Sequence, residues 1–206
     1  LQAADTPVLD RIAAEGICGI MDTIAPGIRP GSDTSHLALL GYPPEKYYTG
    51  RGPLEAEGTG IRMERGMIGF RANYATLKGG IVTDRRAGRI HDTAPLSRAI
   101  QEGVDLSDYG VEIQFRSGAG HRAALAFRGE DLGPCISSND PKKEGLPPAE
   151  IRPLTERLQD ARTAQVAEEF IRQSSRILKE HPLNRERERG GLPRADIVLI
   201  TGGIGP

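Results

Sequence analysis

Apolar residues recur with helical spacing at the start of this 206-residue chain and with strand-like spacing after about residue 61. Val8, Leu9, Ile12 and Ala13 form one stripe at the three-to-four-residue interval of a helix. Thr6 stands at its N-cap, Pro7 at its first position and Gly16 at its end. The apolar run 17–21 predicts a short buried strand. A Pro/Gly loop over 25–31 follows, then a helix over 32–40 with Ser32 at the cap and Gly41 at the exit. Residues 42–60 predict loop, with one helical turn over 54–57. Beyond 61, the runs 67–75 and 80–83 predict paired strands, 96–102 a helix, and 111–115 with 123–127 a second strand pair. A polar connection over 129–153 leads to a long helix over 154–178 whose buried face is Val166, Phe170, Ile171, Ile177 and Leu178. A charged stretch over 180–189 and a buried strand over 195–200 complete the pattern. The expectation is an incomplete α/β piece over 1–60 followed by a strand-rich α+β domain over 61–206. An α/β domain rarely opens on a helix with no strand before it, so the chain is expected to begin inside a longer domain.

Composition changes this picture little. With 26 Gly, 15 Pro and only 4% aromatic residues, much of the chain must be loop and turn, where sites usually sit. The 27 basic residues nearly balance 28 acidic ones, for a net charge of -1. Nothing in that balance attracts nucleic acid or anionic membrane in general, so an anion site must be built locally. No apolar run approaches the ~20 residues that cross a bilayer. Cys18 and Cys135 have no zinc-ligand spacing and fit a reducing compartment, so a cytoplasmic protein is expected. Oligomeric state is left open.

Two segments can carry chemistry. In Arg29-Pro30-Gly31-Ser32-Asp33-Thr34-Ser35-His36, the serine opens a helix, where backbone N–H groups and the macrodipole favour negative charge. His36 lies one turn on. Capping alone is the commoner role of such a serine, and a serine nucleophile needs a base or metal to activate it. In Asp84-Arg85-Arg86-Ala87-Gly88-Arg89, three arginines lie within five residues beside a glycine, and guanidinium forks suit phosphate and carboxylate together. Arg71 and Asn73 share a strand face by their two-residue spacing, and His121 and Arg122 open a later strand. Arg85 reads as a solvated charge, and so does the alternating stretch 180–189. No P-loop, dinucleotide fingerprint, H-E-x-x-H or G-x-S-x-G motif is present.

The continuous run 1–61, together with GFRANYAT, DRRAGRI, GHRAAL and HPLNRERERGGLPRADIVL, closely resembles archaeal-type, bisphosphoglycerate-independent phosphoglycerate mutase of the alkaline phosphatase superfamily. The resemblance implies part of an alkaline-phosphatase-like α/β domain over 1–60 and an inserted α+β cap domain over 61–206. It implies Ser32 as the nucleophile that takes the phosphoryl group of 3-phosphoglycerate as phosphoserine and returns it to the 2-hydroxyl. It implies two divalent ions, Mn2+ or Mg2+, touching Ser32, and no bisphosphoglycerate. It makes Arg71, Asn73, Arg86, Arg89, His121 and Arg122 the substrate clamp, with a small phosphoglycerate as partner and neither nucleic acid nor membrane. The family's N-terminal Asp-Gly pair and its later metal-binding Asp and His residues have no counterpart here. After the last predicted strand, family members carry Arg-Gly-Ala-Gly, whereas this chain reads Thr201-Gly202-Gly203-Ile204-Gly205-Pro206. The chain alone is therefore expected to be inactive. Two other readings stay open: phosphotransfer or phosphatase action on another small phosphorylated metabolite, and a non-catalytic anion-binding domain.

Overall fold

The computed structural model of the protein describes residues 4–204. The chain is mixed α/β and divides into two compact units, Leu1–Tyr48 and Thr49–Pro206.

The first unit holds helix α1 (Pro7–Glu15), helix α2 (Ser32–Leu39) and the single turn α3 (Pro44–Tyr47). Thr6 does occupy the N-cap of α1, but its hydroxyl donates to the Asp10 carboxylate at 3.2 Å rather than accepting a backbone N–H. Gly16 ends the helix with its N–H on the Ile12 carbonyl at 2.8 Å. In α2 the N-cap is Gly31, not Ser32, and the Gly31 N–H donates to the Thr34 hydroxyl at 3.1 Å. The strand expected over 17–21 is not formed. Ile17 and Ile20 are fully exposed, at 105% and 104% of their reference area. A buried strand needs neighbours to take its N–H and C=O groups, and the described residues of this unit contain no strand to supply them. None of the three helices has a buried residue.

The second unit opens with helix α4 (Arg51–Gly58), which packs on the sheet that follows it. The packing boundary between the two units falls between Tyr48 and Thr49. The long strand β1 (Met67–Lys78) turns through Gly79 and Gly80, at φ 57° and 80°, into β2 (Ile81–Asp84). Positive φ at both central residues is what a two-residue hairpin turn with right-handed twist requires. A single 3-10 turn (Ala87–Arg89), helix α5 (Ala94–Gly103), strands β3 (Val111–Ser117) and β4 (Arg122–Gly129), helices α6 (Leu158–Glu180) and α7 (Pro182–Arg189), and strand β5 (Ile197–Ile204) follow. Gly205 and Pro206, the end of the divergent tail, lie outside the described residues.

The strands form one antiparallel sheet in the order β3–β4–β1–β5, with β2 paired to the far end of β1. Helix α6 starts four residues later than expected. Residues 152 and 154 instead pair with 135–137, through Ser137 N–H to Arg152 O and Leu154 N–H to Cys135 O, both at 2.8 Å. Across the loop before it, the Asn139 side chain accepts from Ile200 N–H at 2.7 Å and donates to Val198 O at 3.0 Å. Ser138 donates to Ile200 O at 2.7 Å.

One sheet face carries Ile68, Phe70, Ala72, Tyr74, Leu125, Phe127 and Val198 and is covered by α5 and α6. There Phe70–Phe127 and Phe127–Phe170 meet edge to ring, with centroids 5.2 and 6.1 Å apart, and Phe170–Phe115 meet tilted at 5.6 Å. Each buried ring of this kind contributes about 1.5 to 3 kcal/mol. The opposite face is apolar at both ends: Ala56, Ile61, Met67, Ala124 and Ala126 under α4, and Ala75, Val82, Ile197 and Leu199 beside β2. Between those two patches the strands present Arg71, Asn73 and Arg122.

Candidate functional site

Strand periodicity and register build the polar strip. Arg71 and Asn73 alternate with the buried Ala72 on β1, and β4 sets Arg122 directly opposite Asn73. Facing residues on one side of an antiparallel pair have Cβ atoms about 5 Å apart. Helix α4 supplies one wall. Its approach depends on two glycines, because a Cβ on Gly52 would lie 1.8 Å from the Gly69 carbonyl oxygen. That backbone contact brings Glu55 to 3.9 Å from the Arg71 guanidinium and puts Arg51 within electrostatic reach of it. On the other side, His121 feels the charges of Arg122, Arg86 and Arg71, and weakly that of Asp84.

The electrostatics are those of surplus positive charge. Burial lowers the Arg71 pKa; Arg122 and Arg51 lower it further, against the raising influence of Glu55 and Asp140. Burial likewise lowers the His121 pKa, and the three arginines around it add to the shift, so the imidazole is kept neutral. Two buried polar atoms here have no hydrogen-bond partner among the described residues: Arg71 Nε, a donor whose nearest anion is Glu55 Oε2 at 3.9 Å, and Asn73 Oδ1, an acceptor. Buried groups of this kind call for an explanation, and a ligand that presents an anionic oxygen beside a hydroxyl satisfies both.

Register thus sets Arg71, Asn73 and Arg122 on one face of the sheet, and the charges of Arg122, Arg86 and Arg71 act on His121. Arg89 is exposed at φ 53° and is not among the charges acting on Arg71 or His121. Arg85 is not a solvated charge. Its fork donates to both oxygens of the nearly buried Asp140 carboxylate, at 2.9 and 2.6 Å. Burial pushes Asp140 up, but the Arg85 fork, the Lys142 N–H and the two cations hold it below the usual carboxylate range. Arg51, Glu55 and Asp140 escaped the sequence reading. The only signal for the first two was Gly50-Arg51-Gly52-Pro53, which reads as loop until Gly52 is seen against β1.

Ser32 belongs to the first unit and is exposed at the first position of α2. The His36 ring nitrogen Nδ1 donates to the Ser32 backbone carbonyl, which ties the imidazole to the main chain rather than to the hydroxyl. Tyr48 donates to the Asp33 carboxylate. Among the described residues no three His, Cys, Asp or Glu side chains come together as a metal cage.

Comparison with known proteins follows the same residues. The family described as 2,3-bisphosphoglycerate-independent phosphoglycerate mutase matches residues 13–184. The chain belongs to that family. Its sequence is 66% identical over 203 residues to the 2,3-bisphosphoglycerate-independent phosphoglycerate mutase of Methanoculleus marisnigri, covering 98% of this chain and 49% of that protein. It is 49% identical over 209 residues to the mutase of Methanopyrus kandleri, again covering 98% of this chain and 49% of the relative. The solved cofactor-independent phosphoglycerate mutase from Thermoplasma acidophilum superposes with a TM-score of 0.74 at 42% identity, over all of this chain and 54% of that one. The chain therefore spans about half the length of the phosphoglycerate mutases it matches.

Proposed function

We propose that the whole protein interconverts 3-phosphoglycerate and 2-phosphoglycerate, with Ser32 as the phosphoryl carrier and the strip around Arg71 as the clamp for the glycerate. Residues 1–60 are assigned to the phosphatase-like part and 61–206 to the cap, with α4 docked on the cap's sheet. The observation that carries this reading is the orphaned donor–acceptor pair, Arg71 Nε and Asn73 Oδ1, set among Arg86, Arg122 and a neutral His121. A phosphoglycerate offers anionic oxygens to the arginines and a hydroxyl to the amide oxygen. Family membership points to the same substrate.

In this scheme the Ser32 hydroxyl oxygen bonds to phosphorus as the bond to the 3-oxygen breaks, and the serine proton passes to that departing oxygen. The glycerate left behind is held by Arg71, Arg122 and Asn73 while its 2-oxygen turns toward phosphorus. In the second displacement the 2-oxygen bonds to phosphorus, the serine oxygen–phosphorus bond breaks, and the 2-hydroxyl proton re-forms the serine hydroxyl. Holding the intermediate and excluding water is what separates a mutase from a phosphatase on such a scaffold. The family is defined by its independence from 2,3-bisphosphoglycerate. The two divalent ions implied by the resemblance do not find a cage among the described residues, so no step is assigned to them and the 206-residue chain is expected to be inactive alone.

The test is conversion of 3- to 2-phosphoglycerate without added bisphosphoglycerate, with and without manganese. It uses the full-length protein, its Ser32→Ala variant and the 206-residue chain. Conversion by the first and none by the other two supports the reading. A folded, metal-loaded full-length protein that converts nothing refutes it and favours phosphotransfer on another small phosphorylated metabolite.

A further inference from the structure

The segment that carries Arg86 has an unusual backbone. Ala87, Gly88 and Arg89 follow one another at φ 46°, 63° and 53°. L-residues rarely enter this left-handed region, and runs of three are rarer still. Such conformations persist only where the surroundings over-determine them, and here the surroundings are explicit. The Asp84 carboxylate accepts from the N–H groups of Arg86 and Gly88, both at 2.7 Å. Arg85 anchors the chain to Asp140. Gly88 sits against the Pro193 ring, which a Cβ at that position would meet at 2.8 Å. From α7, the Arg187 fork reaches two carbonyls at once, Nη2 to Ala87 O at 2.9 Å and Nε to Pro193 O at 2.8 Å. Arg187 is half-buried, and burial lowers its pKa.

Arg86 itself is treated differently. Its backbone is tied down, while its guanidinium makes no hydrogen bond or ion pair among the described residues and acts on His121 only through its charge. A fixed backbone with an unspent cation is the arrangement that lowers the ordering cost of binding an anion.

We propose that Arg187, with Asp84 and Pro193, is a positioning residue that holds the left-handed turn 87–89 so that Arg86 faces the anion strip. The charged stretch 180–189, which reads as a solvated helix face, thereby acquires a role one step removed from substrate. The proposal rests on the clamp reading given under "Proposed function".

The experiment uses the full-length protein and its Arg187→Gln, Arg187→Lys and Arg189→Ala variants. Inorganic phosphate affinity is measured by titration calorimetry, and KM and kcat for 3-phosphoglycerate by turnover. Arg187→Gln should weaken phosphate binding and raise KM by about tenfold, with kcat within about threefold of wild type. Arg187→Lys should fail to restore either, because an ammonium cannot serve both carbonyls as a fork does. The exposed Arg189→Ala should change neither. Unchanged KM and phosphate affinity in a folded Arg187→Gln protein, or full rescue by lysine, would overturn the proposal. If Arg187→Gln does not fold, Pro193→Ala removes the ring against Gly88 and is read by the same criteria. A wild type that binds phosphate but converts no phosphoglycerate sinks the mutase reading alone, and the phosphate affinities then decide the positioning role. A wild type that binds no phosphate overturns both.

Discussion

The two units differ in where their apolar residues go. In the second, β1, β4 and β5 bury one face under α5 and α6, and Tyr74, Phe70, Phe115, Phe127 and Phe170 are almost fully removed from solvent. In the first, the α1 stripe of Val8, Leu9 and Ile12 stays about 60% exposed, and Leu39, Leu40 and Tyr42 are exposed as well. Both units keep their helices. The difference teaches that helix boundaries here are set by local signals such as Pro7 and Gly16, whereas strands form only where a neighbour completes the ladder.

The sharpest way to break this comparison is a pair of truncations. Phe170→Ala should lower unfolding free energy by about 3 to 5 kcal/mol, and Ile12→Ala, being exposed, by less than about 0.5 kcal/mol. Urea unfolding of the 206-residue chain reads both, and equal losses would refute the contrast. Next is Gly52→Ala. The added methyl meets the Gly69 backbone carbonyl, which cannot swing aside, so α4 must shift at a cost of about 3 kcal/mol. Because the shift carries Arg51 and Glu55 with it, phosphate affinity should fall in parallel. Retained affinity would mean that α4 does not shape the site. Asn184→Ala should cost about 2 kcal/mol, since its amide serves Leu178 O at 2.8 Å, Ala195 O at 2.7 Å and Ala195 N–H at 2.8 Å in full burial. A loss indistinguishable from that of an exposed α7 residue would contradict it.

The smallest effect is with pH. Burial lowers the pKa of His181, and burial together with the surrounding arginines lowers that of His121. Below about pH 6.5 the unfolded chain takes up protons at both histidines that the folded one refuses. Stability from these groups is therefore complete above that pH and lost as pH falls. Thermal midpoints measured from about pH 8 to about pH 5 should decline, and less so in a His121→Asn, His181→Asn protein. A midpoint that rises on acidification would reverse the sign.

Much of the second unit was legible because its signals are local. The short apolar runs 67–75 and 80–83 announced one strand pair, and 111–115 with 123–127 announced β3 and β4. The two-residue spacing of Arg71 and Asn73 was enough to place both on one face. What escaped depends on distant partners. Arg85 reads as solvated until Asp140, 55 positions away, is seen beneath its fork. The strand over 17–21 was inferred from an apolar run alone, and such a run acquires strand structure only from neighbours. Arg51 and Glu55 join the site only because two glycines let a helix touch a strand.

The two side chains that meet β5 from residues 138 and 139 have a consequence of their own. Of the strand's two edges, one pairs with β1, and on the other the outward N–H and C=O of Ile200 are taken by Asn139 and Ser138. An open edge is a template on which further chains can add by backbone pairing and so grow into aggregates. The Asn139 amide ends that growth, since it takes up the Ile200 N–H and the Val198 carbonyl and presents no next residue to copy. The loop thereby closes this edge of the sheet, and does so without the register that a further strand would demand.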